Sequence, residues 1–310
     1  MRVFVTGGAG FIGSYVCEIL LHNGAEVVAF DNFSSGNTRV EGATTIEGDV
    51  RNFDEVLAAM SGCTHIAHLA ALASVPASIA EPSLSEAINL QGTLNIIEAA
   101  HQVGITRIVF SSTAAIYGDA TDMPVTESTT ANCQSPYAED KLAAEVAILH
   151  SGIEAISLRY FNVHGPRQDP KGAYAAVIPA FIQMLMDEKS PTIFGTGNAT
   201  RDFVSVSDVA QLNLQALTTD NKDALGQVYN VASGSTMSIL ELFTALRELL
   251  GEKKPTINAV EPMFAPAREG DILHSSASID KARELLDFNP EVNPLQALST
   301  TVEAYWAQRG

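Results

Sequence analysis

The chain has 310 residues, 46% of them hydrophobic, and a mean hydropathy of +0.12, which supplies a substantial core for one or two domains and excludes a disordered chain. Its 36 acidic against 18 basic residues leave a formal charge of −18, which excludes nucleic acid and anionic membrane surfaces as general partners. An anionic small ligand stays open, because a few converging arginines dominate the field inside a pocket. The acidic surplus reads most plainly as a solubility feature.

No apolar run approaches the roughly 18 residues that span a bilayer, and the first strand starts almost at Met1, so a cytoplasmic chain without a cleavable signal is expected. Cys17, Cys63 and Cys133 are odd in number and share no CxxC spacing, which reads as reduced thiols without a catalytic role.

In chain order, a strand at Val3–Val5 runs into Thr6-Gly7-Gly8-Ala9-Gly10-Phe11-Ile12-Gly13 and then a helix over Tyr15–Leu21. Gly7 and Gly8 permit a tight turn, Gly10 lets backbone N–H groups approach a pyrophosphate, and Gly13 lets the helix lie against the strand. A second strand, Glu26–Phe30, ends at Asp31, where a carboxylate accepts hydrogen bonds from an adenosine ribose. That placement predicts NAD rather than a 2′-phosphorylated cofactor.

Further strands are expected at Thr44–Glu47, Thr64–Ala70, Arg107–Ser112 and Ala155–Tyr160, with helices between them that include Leu84–Val103 and Tyr137–His150. The alternation predicts an α/β fold: a Rossmann-type doubly wound parallel sheet with a smaller C-terminal substrate-binding lobe. Residues 1–165 form the expected cofactor domain and 166–310 mainly the lobe, where Pro166, Pro170, Pro179, Pro191, Pro255, Pro262 and Pro266 punctuate shorter elements. Val206–Leu217 and Gln227–Val231 read as a helix and a strand that return to the main sheet.

The strand at Arg107–Ser112 delivers Ser111, Ser112 and Thr113 at its carboxyl end, where open α/β sheets place ligands. Downstream, Ser135 suits an N-cap and Pro136 the first helical position, which sets Tyr137 and Lys141 one turn apart on one face. A free phenol has a pKa near ~10, but a nearby ammonium and a cationic nicotinamide ring both favour its phenolate. Tyr137 is then a candidate general base and acid, and Thr113 shares the charge on the same substrate oxygen. His65 and His68 read as strand residues and His164 as a loop residue. No HExxH or Cys/His cluster suggests a metal.

Together these residues resemble the extended short-chain dehydrogenase/reductase family and, within it, the nucleotide-sugar 4-epimerases. The resemblance runs over nearly the whole chain and adds the blocks Gly48-Asp49-Val50, His68-Leu69-Ala70-Ala71, Asn89-Leu-Gln-Gly92-Thr93, Arg159-Tyr160-Phe161-Asn162, Arg201-Asp202-Phe203, Tyr229-Asn230-Val231 and Arg268-Glu269-Gly270-Asp271. It implies that Asp49 and Val50 flank an adenine, that Leu69, Ala70 and Ala71 line the cofactor path, and that Lys141 also holds the nicotinamide ribose. By the same resemblance Phe11, Ile12, Asn32, Asn89, Ser111 and Tyr160 lie along the cofactor. Asn162, Arg201 and Arg268 would bind a substrate diphosphate, Asp271 the uridine ribose, Ala176 and Val177 the uracil, and Ser74 and Gln168 the sugar.

Sister dehydratases and decarboxylases of the resembling family carry an acid just after the catalytic hydroxyl, whereas this chain has Ala114 there, which favours oxidation and re-reduction at C4 over elimination. Ser275 stands where the family's pocket width is set. A tyrosine there restricts the pocket to non-acetylated sugars, and serine leaves room for an N-acetyl group. The resemblance therefore implies a UDP-sugar 4-epimerase for UDP-N-acetylglucosamine/UDP-N-acetylgalactosamine, UDP-glucose/UDP-galactose or both, paired as a homodimer through Leu84–Val103 and Tyr137–His150. A UDP-glucuronate 4-epimerase or another nucleotide-sugar-modifying member is the enzymatic alternative. A catalytically silent NAD or nucleotide-sugar sensor on the same fold is the other.

Overall fold

The computed structural model describes residues 1–170, 176–267, 272–290 and 293–309. In chain order the first half contains β1 (Arg2–Thr6), α1 (Phe11–His22), β2 (Glu26–Asp31), β3 (Thr44–Glu47), α2 (Phe53–Met60), β4 (His65–His68), α3 (Val75–Ala80), α4 (Pro82–Glu86), α5 (Gly92–Val103), β5 (Arg107–Thr113), α6 (Pro136–Leu149) and β6 (Glu154–Tyr160). The second half contains β7 (Asn162–His164), α7 (Val177–Met186), β8 (Thr192–Phe194), β9 (Thr200–Arg201), β10 (Phe203–Ser205), α8 (Val206–Thr218), β11 (Gln227–Val231), β12 (Met237–Ser238), α9 (Ile239–Lys253), β13 (Met263–Ala265), α10 (Asp280–Leu286) and α11 (Pro294–Ala307).

Seven strands form one sheet in the order β11-β6-β5-β4-β1-β2-β3, parallel throughout. The connections wind outward in opposite directions from β1 and β4, so their carboxyl ends open a crevice at the switch point. This is the expected doubly wound α/β sheet. Apart from the edge strand β3, the strands are largely buried on both faces, which explains their near-continuous apolar runs. On one face Val16 and Leu20 of α1 pack with Val209, Leu212 and Leu217 of α8. On the other, Val56 and Met60 of α2, Ile96 and Ala99 of α5, and Ile148 of α6 close the second layer. A separate core of Ile178 and Ile182 on α7, Leu246 and Leu250 on α9, and Leu298 and Val302 on α11 supports the smaller elements after β6.

The first strand, turn and helix meet closely. Gly7 has φ of +68°, and a β-carbon on it would stand 2.9 Å from the Ala70 nitrogen. A β-carbon on Gly13 would stand 2.0 Å from the Gly7 carbonyl oxygen, so α1 lies on the turn only because that position has none. α6 begins as its sequence suggests: the Ser135 side chain accepts a hydrogen bond from the Ala138 N–H and Pro136 occupies the first turn.

Two expectations need adjustment. The stretch Leu84–Val103 is not one α-helix: a π-helical turn over Ala87–Gln91 separates α4 from α5. At its centre Asn89 turns inward to the backbone of Leu72, accepting from the Leu72 N–H at 2.8 Å and donating to the Leu72 carbonyl at 3.4 Å. His164 is not in a loop but closes β7, which pairs with β10.

Candidate active site

The carboxyl ends of β1, β2, β4, β5 and β6 deliver Gly7, Asp31, Leu69, Thr113 and Tyr160 to one edge of the sheet. Asp31 is the last residue of β2 and is nearly buried. Its Oδ2 accepts from the Ala9 N–H at 2.9 Å and its Oδ1 from the Phe33 N–H at 2.8 Å. One lone pair on each oxygen remains, which suits two ribose hydroxyls. Gly10 places no side chain in the cradle, where a β-carbon would stand 3.2 Å from the Gly7 oxygen. Phe11 and Ile12 open α1 directly after it. These residues fit a dinucleotide: bare backbone at a helix N-terminus for the pyrophosphate, a carboxylate for the ribose.

Asp49 accepts from Arg51 Nε at 2.9 Å and Nη2 at 2.7 Å, and from Asn32 Nδ2 at 3.0 Å. The Arg51 bonds hold its carboxyl well below the usual range, against a smaller opposing effect of burial. Val50 is held beneath it by Asn95, whose Nδ2 donates to the Val50 carbonyl at 3.0 Å, and by close packing on Gly92. The segment Leu69-Ala70-Ala71 is drawn onto β1 by Thr6, whose hydroxyl oxygen accepts from the Leu69 and Ala70 N–H groups, both at 3.1 Å.

With both Thr6 lone pairs so used, its O–H donates to His68 Nδ1 at 2.6 Å. His68 is therefore the neutral Nε2–H tautomer, donating to the Thr93 hydroxyl at 3.0 Å, which in turn donates to the Asn89 carbonyl at 2.7 Å. Burial, helped by Lys141, pushes His68 down to about 3. The histidine thus ties β1, β4 and the π-helical turn together, a role the sequence pattern did not disclose. Ser85 adds a parallel tie: it accepts from Asn89 at 3.2 Å and donates to Asp140 Oδ2 at 2.6 Å, next to Lys141.

Thr113 ends β5, and its hydroxyl accepts from the Ala115 N–H at 3.1 Å. Tyr137 lies across from it at the start of α6, anchored by its backbone N–H to the Ser78 hydroxyl at 3.1 Å. Burial raises the proton affinity of the Tyr137 phenol, and its hydrogen bond with Thr113 lowers it. Lys141, one turn on, is buried with its Nζ 4.0 Å from the centre of the Phe110 ring. Burial pushes this ammonium down to about 7, opposed by Glu145. The expected help from the ammonium to the phenolate is thus not the leading influence on the protein alone; Thr113 supplies the stabilising contact. The Tyr160 hydroxyl accepts from Asn213 at 2.7 Å and is also hydrogen-bonded to Ser111, so both are engaged behind the catalytic edge.

Asn162 opens β7 and donates through Nδ2 to the Asp202 carbonyl at 3.0 Å, beside Arg201 on β9. The Ser275 N–H donates to the Thr200 carbonyl at 3.1 Å, which puts Ser275 next to the same strand. Gln168 reaches back to the Val163 carbonyl at 3.3 Å, and Ala176 caps α7 immediately before Val177. Ser74 caps α3, the helix whose Ser78 holds Tyr137. Arg268 and Asp271 lie outside the described residues.

This geometry matches known proteins. Residues 3–232 match the model of the NAD dependent epimerase/dehydratase family. The chain belongs to that family. It is 35% identical over 320 residues to a UDP-glucose 4-epimerase of Mycolicibacterium smegmatis, covering 98% of each. Its fold is similar to that of a UDP-glucose 4-epimerase with UDP-glucose from Thermotoga maritima, with a TM-score of 0.92, 34% identity and 100% of both chains covered. It is similar also to a UDP-N-acetylglucosamine 4-epimerase from Methanobrevibacter ruminantium in complex with UDP-N-acetylmuramic acid, with a TM-score of 0.90, 35% identity, and 99% and 98% of the two chains covered. The resemblance to extended short-chain dehydrogenases/reductases of the nucleotide-sugar epimerase kind, and with it NAD as the cofactor, is borne out. Among the described residues no helix is long and apolar enough to cross a membrane.

The buried histidines make the fold acid-sensitive. As pH falls below the ordinary histidine value of 6.5, the unfolded chain takes up protons at His68 and His164, whereas the folded chain resists until about 3 and about 4. Stability is full above 6.5 and falls with pH, and Asp202, raised to about 6 by burial, works in the opposite sense. Between pH 6.5 and 5, His68→Gln should lose about 1 kcal/mol per pH unit less than wild type in urea unfolding, because the unfolded histidine goes from half to nearly fully protonated over that window. Parallel stability curves for the two proteins would contradict the neutral buried His68.

Proposed function

We propose that this protein is a UDP-sugar 4-epimerase that inverts C4 by transient oxidation while NAD stays bound. The observation that carries the reading is the apposition of Thr113 and Tyr137, with Lys141 one turn behind, at the sheet edge that also holds the glycine cradle. Bound NAD supplies the acceptor for the C4 hydride and, after the sugar has turned, the donor to its opposite face, with no net redox change. Tyr137 takes the 4-hydroxyl proton and returns it. Thr113 donates to the same oxygen and shares its developing charge. Lys141 contributes a positive charge that depends on pH near neutrality. Ala114 offers no carboxylate for elimination, in keeping with epimerisation.

Asn162 and Arg201, with Arg268 beyond the described residues, are our candidates for holding the diphosphate, about which the 4-keto sugar turns. Asp271 is assigned to the uridine ribose, Ala176 and Val177 to the uracil, and Ser74 and Gln168 to the sugar. We take residues 166–310, apart from 206–231, as the substrate lobe. A small Ser275 beside Arg201 supports a broad pocket, with UDP-N-acetylglucosamine/UDP-N-acetylgalactosamine placed ahead of UDP-glucose/UDP-galactose. Free thiols at Cys17, Cys63 and Cys133 suit a reducing cytoplasm. Leu94 on α5 and Val146 on α6 are exposed apolar residues on the two helices assigned to a homodimer contact.

Tyr137→Phe retains the ring and loses the proton carrier, so turnover should fall by about 10²-fold or more while the purified protein still releases NAD on denaturation. Near-normal turnover would remove Tyr137 from the chemistry. For the sugar, the decisive experiment offers UDP-glucose, UDP-N-acetylglucosamine and UDP-glucuronate separately and reads C4 stereochemistry by NMR. Wild type should epimerise the first two, and Ser275→Tyr should keep UDP-glucose while losing the acetylated sugar; equal use of both by the variant refutes the pocket-width role. Light scattering should give the mass of a dimer, and Val146→Arg that of a monomer; a monomeric wild type rejects the pairing.

A further inference from the structure

Behind the catalytic edge lies a buried polar chain that the proposed chemistry does not use. Glu145 follows Lys141 by one turn on α6 and faces β6. Its Oε1 accepts from Arg159 Nη2 at 2.6 Å, and its Oε2 accepts from Arg159 Nε at 3.1 Å and from the Ser157 hydroxyl at 2.9 Å. The Glu145 and Arg159 side chains are 2% and 8% exposed. Arg159 Nη1 donates to the Tyr117 hydroxyl at 2.9 Å, and Tyr117 donates to Asn230 Oδ1 at 2.6 Å. Tyr117 ends the short 3₁₀ turn that begins directly after Thr113. The chain therefore connects the helix carrying Tyr137 and Lys141 to the turn that follows Thr113 by way of β6, and anchors that turn to β11.

A buried ion pair is weak evidence for a device that only adds stability, since apolar residues of similar volume would join α6 to β6 as well. What the pair adds is direction, through a bidentate fork, and an electric field one turn from Lys141. We propose that Glu145 and Arg159 are a positioning pair for the catalytic site: they fix α6, and with it Tyr137 and Lys141, in register with the Thr113 turn, with the Glu145 carboxylate one helical turn from Lys141. This rests on the epimerase reading of Thr113, Tyr137 and Lys141.

The charged and titratable groups around Lys141 are few. Glu145 and Tyr137 share its helix, and His68 approaches from β4 as a neutral ring. Phe110 of β5 presents only its ring face. Asp140, with Glu86 and Glu139 near it, is turned to Ser85 on α4. Arg159 on β6 and Tyr117 lie beyond Glu145. Glu145 is the group that favours the charged form of Lys141, and burial opposes it.

The test follows the Lys141 side chain in the NAD-bound protein by NMR of ¹³C-labelled lysine, assigned with Lys141→Arg. In Glu145→Gln the carboxylate is lost and Arg159 is left uncompensated, and both changes disfavour the ammonium. Its titration midpoint should move to lower pH by about one pH unit. The kcat should fall by about tenfold with KM for the UDP-sugar little changed. If that variant does not fold, Glu145→Gln/Arg159→Met removes both charges at similar volume, and the midpoint should again fall because the nearer charge is gone. A midpoint and kcat that stay at wild-type values in whichever variant folds, even with a lowered Tm, overturn the proposal. The midpoint does not depend on turnover, so a wild type that epimerises no UDP-sugar would sink the epimerase reading separately.

Discussion

A carbonyl oxygen decides how this molecule begins. The Gly7 oxygen occupies the space next to Gly13 so fully that α1 can lie on the first turn only without a side chain there. Once α1 is seated, its N-terminal N–H groups and the last residue of β2 face the same crevice, and Asp31 is held open-handed by two backbone donors. Ala70 then comes within contact of Gly7, which carries β4 and everything bonded to it to the same edge. The reaction site is thus an extension of one close backbone contact.

From that edge inward, the site is held by hydroxyl and amide groups rather than by surface charge. Thr6, His68, Thr93 and Asn89 form one run of hydrogen bonds, and Ser85, Asp140 and Ser78 brace the start of α6. Each is buried or nearly so, where an unmatched polar atom is costly, so the runs permit few alternative arrangements. Dry surroundings also push the Lys141 ammonium down to about 7, because its ring neighbour Phe110 stabilises a cation less well than water does.

Much of this was legible in the chain. The glycine spacing, Asp31, the hydroxyl-bearing end of β5 and the Tyr137/Lys141 pair all belong to local patterns whose geometry follows from strand, turn and helix periodicity. What stayed hidden depends on contacts between distant segments. The π-helical turn at Ala87–Gln91 has ordinary helical composition, and Asn89 at its centre finds its backbone partner at Leu72. His68 reads as a strand residue either way, and its tautomer emerges only when the Thr6 hydroxyl is counted against its donors. Glu145 lies one turn past Lys141, but nothing local says that Arg159 and Tyr117 will meet it.

The bond between Tyr117 and Asn230 joins residues 113 positions apart. During synthesis β6 remains the outer strand of the growing sheet until β11 emerges to pair with it. Until then the turn behind Thr113 lacks its far anchor, although the glycine cradle and α6 have long left the ribosome. A fragment cut after β6 would accordingly keep the cofactor-facing residues and carry an open sheet edge, prone to pairing with another chain. Maturation of the catalytic edge is in this sense postponed to the second half of the polypeptide.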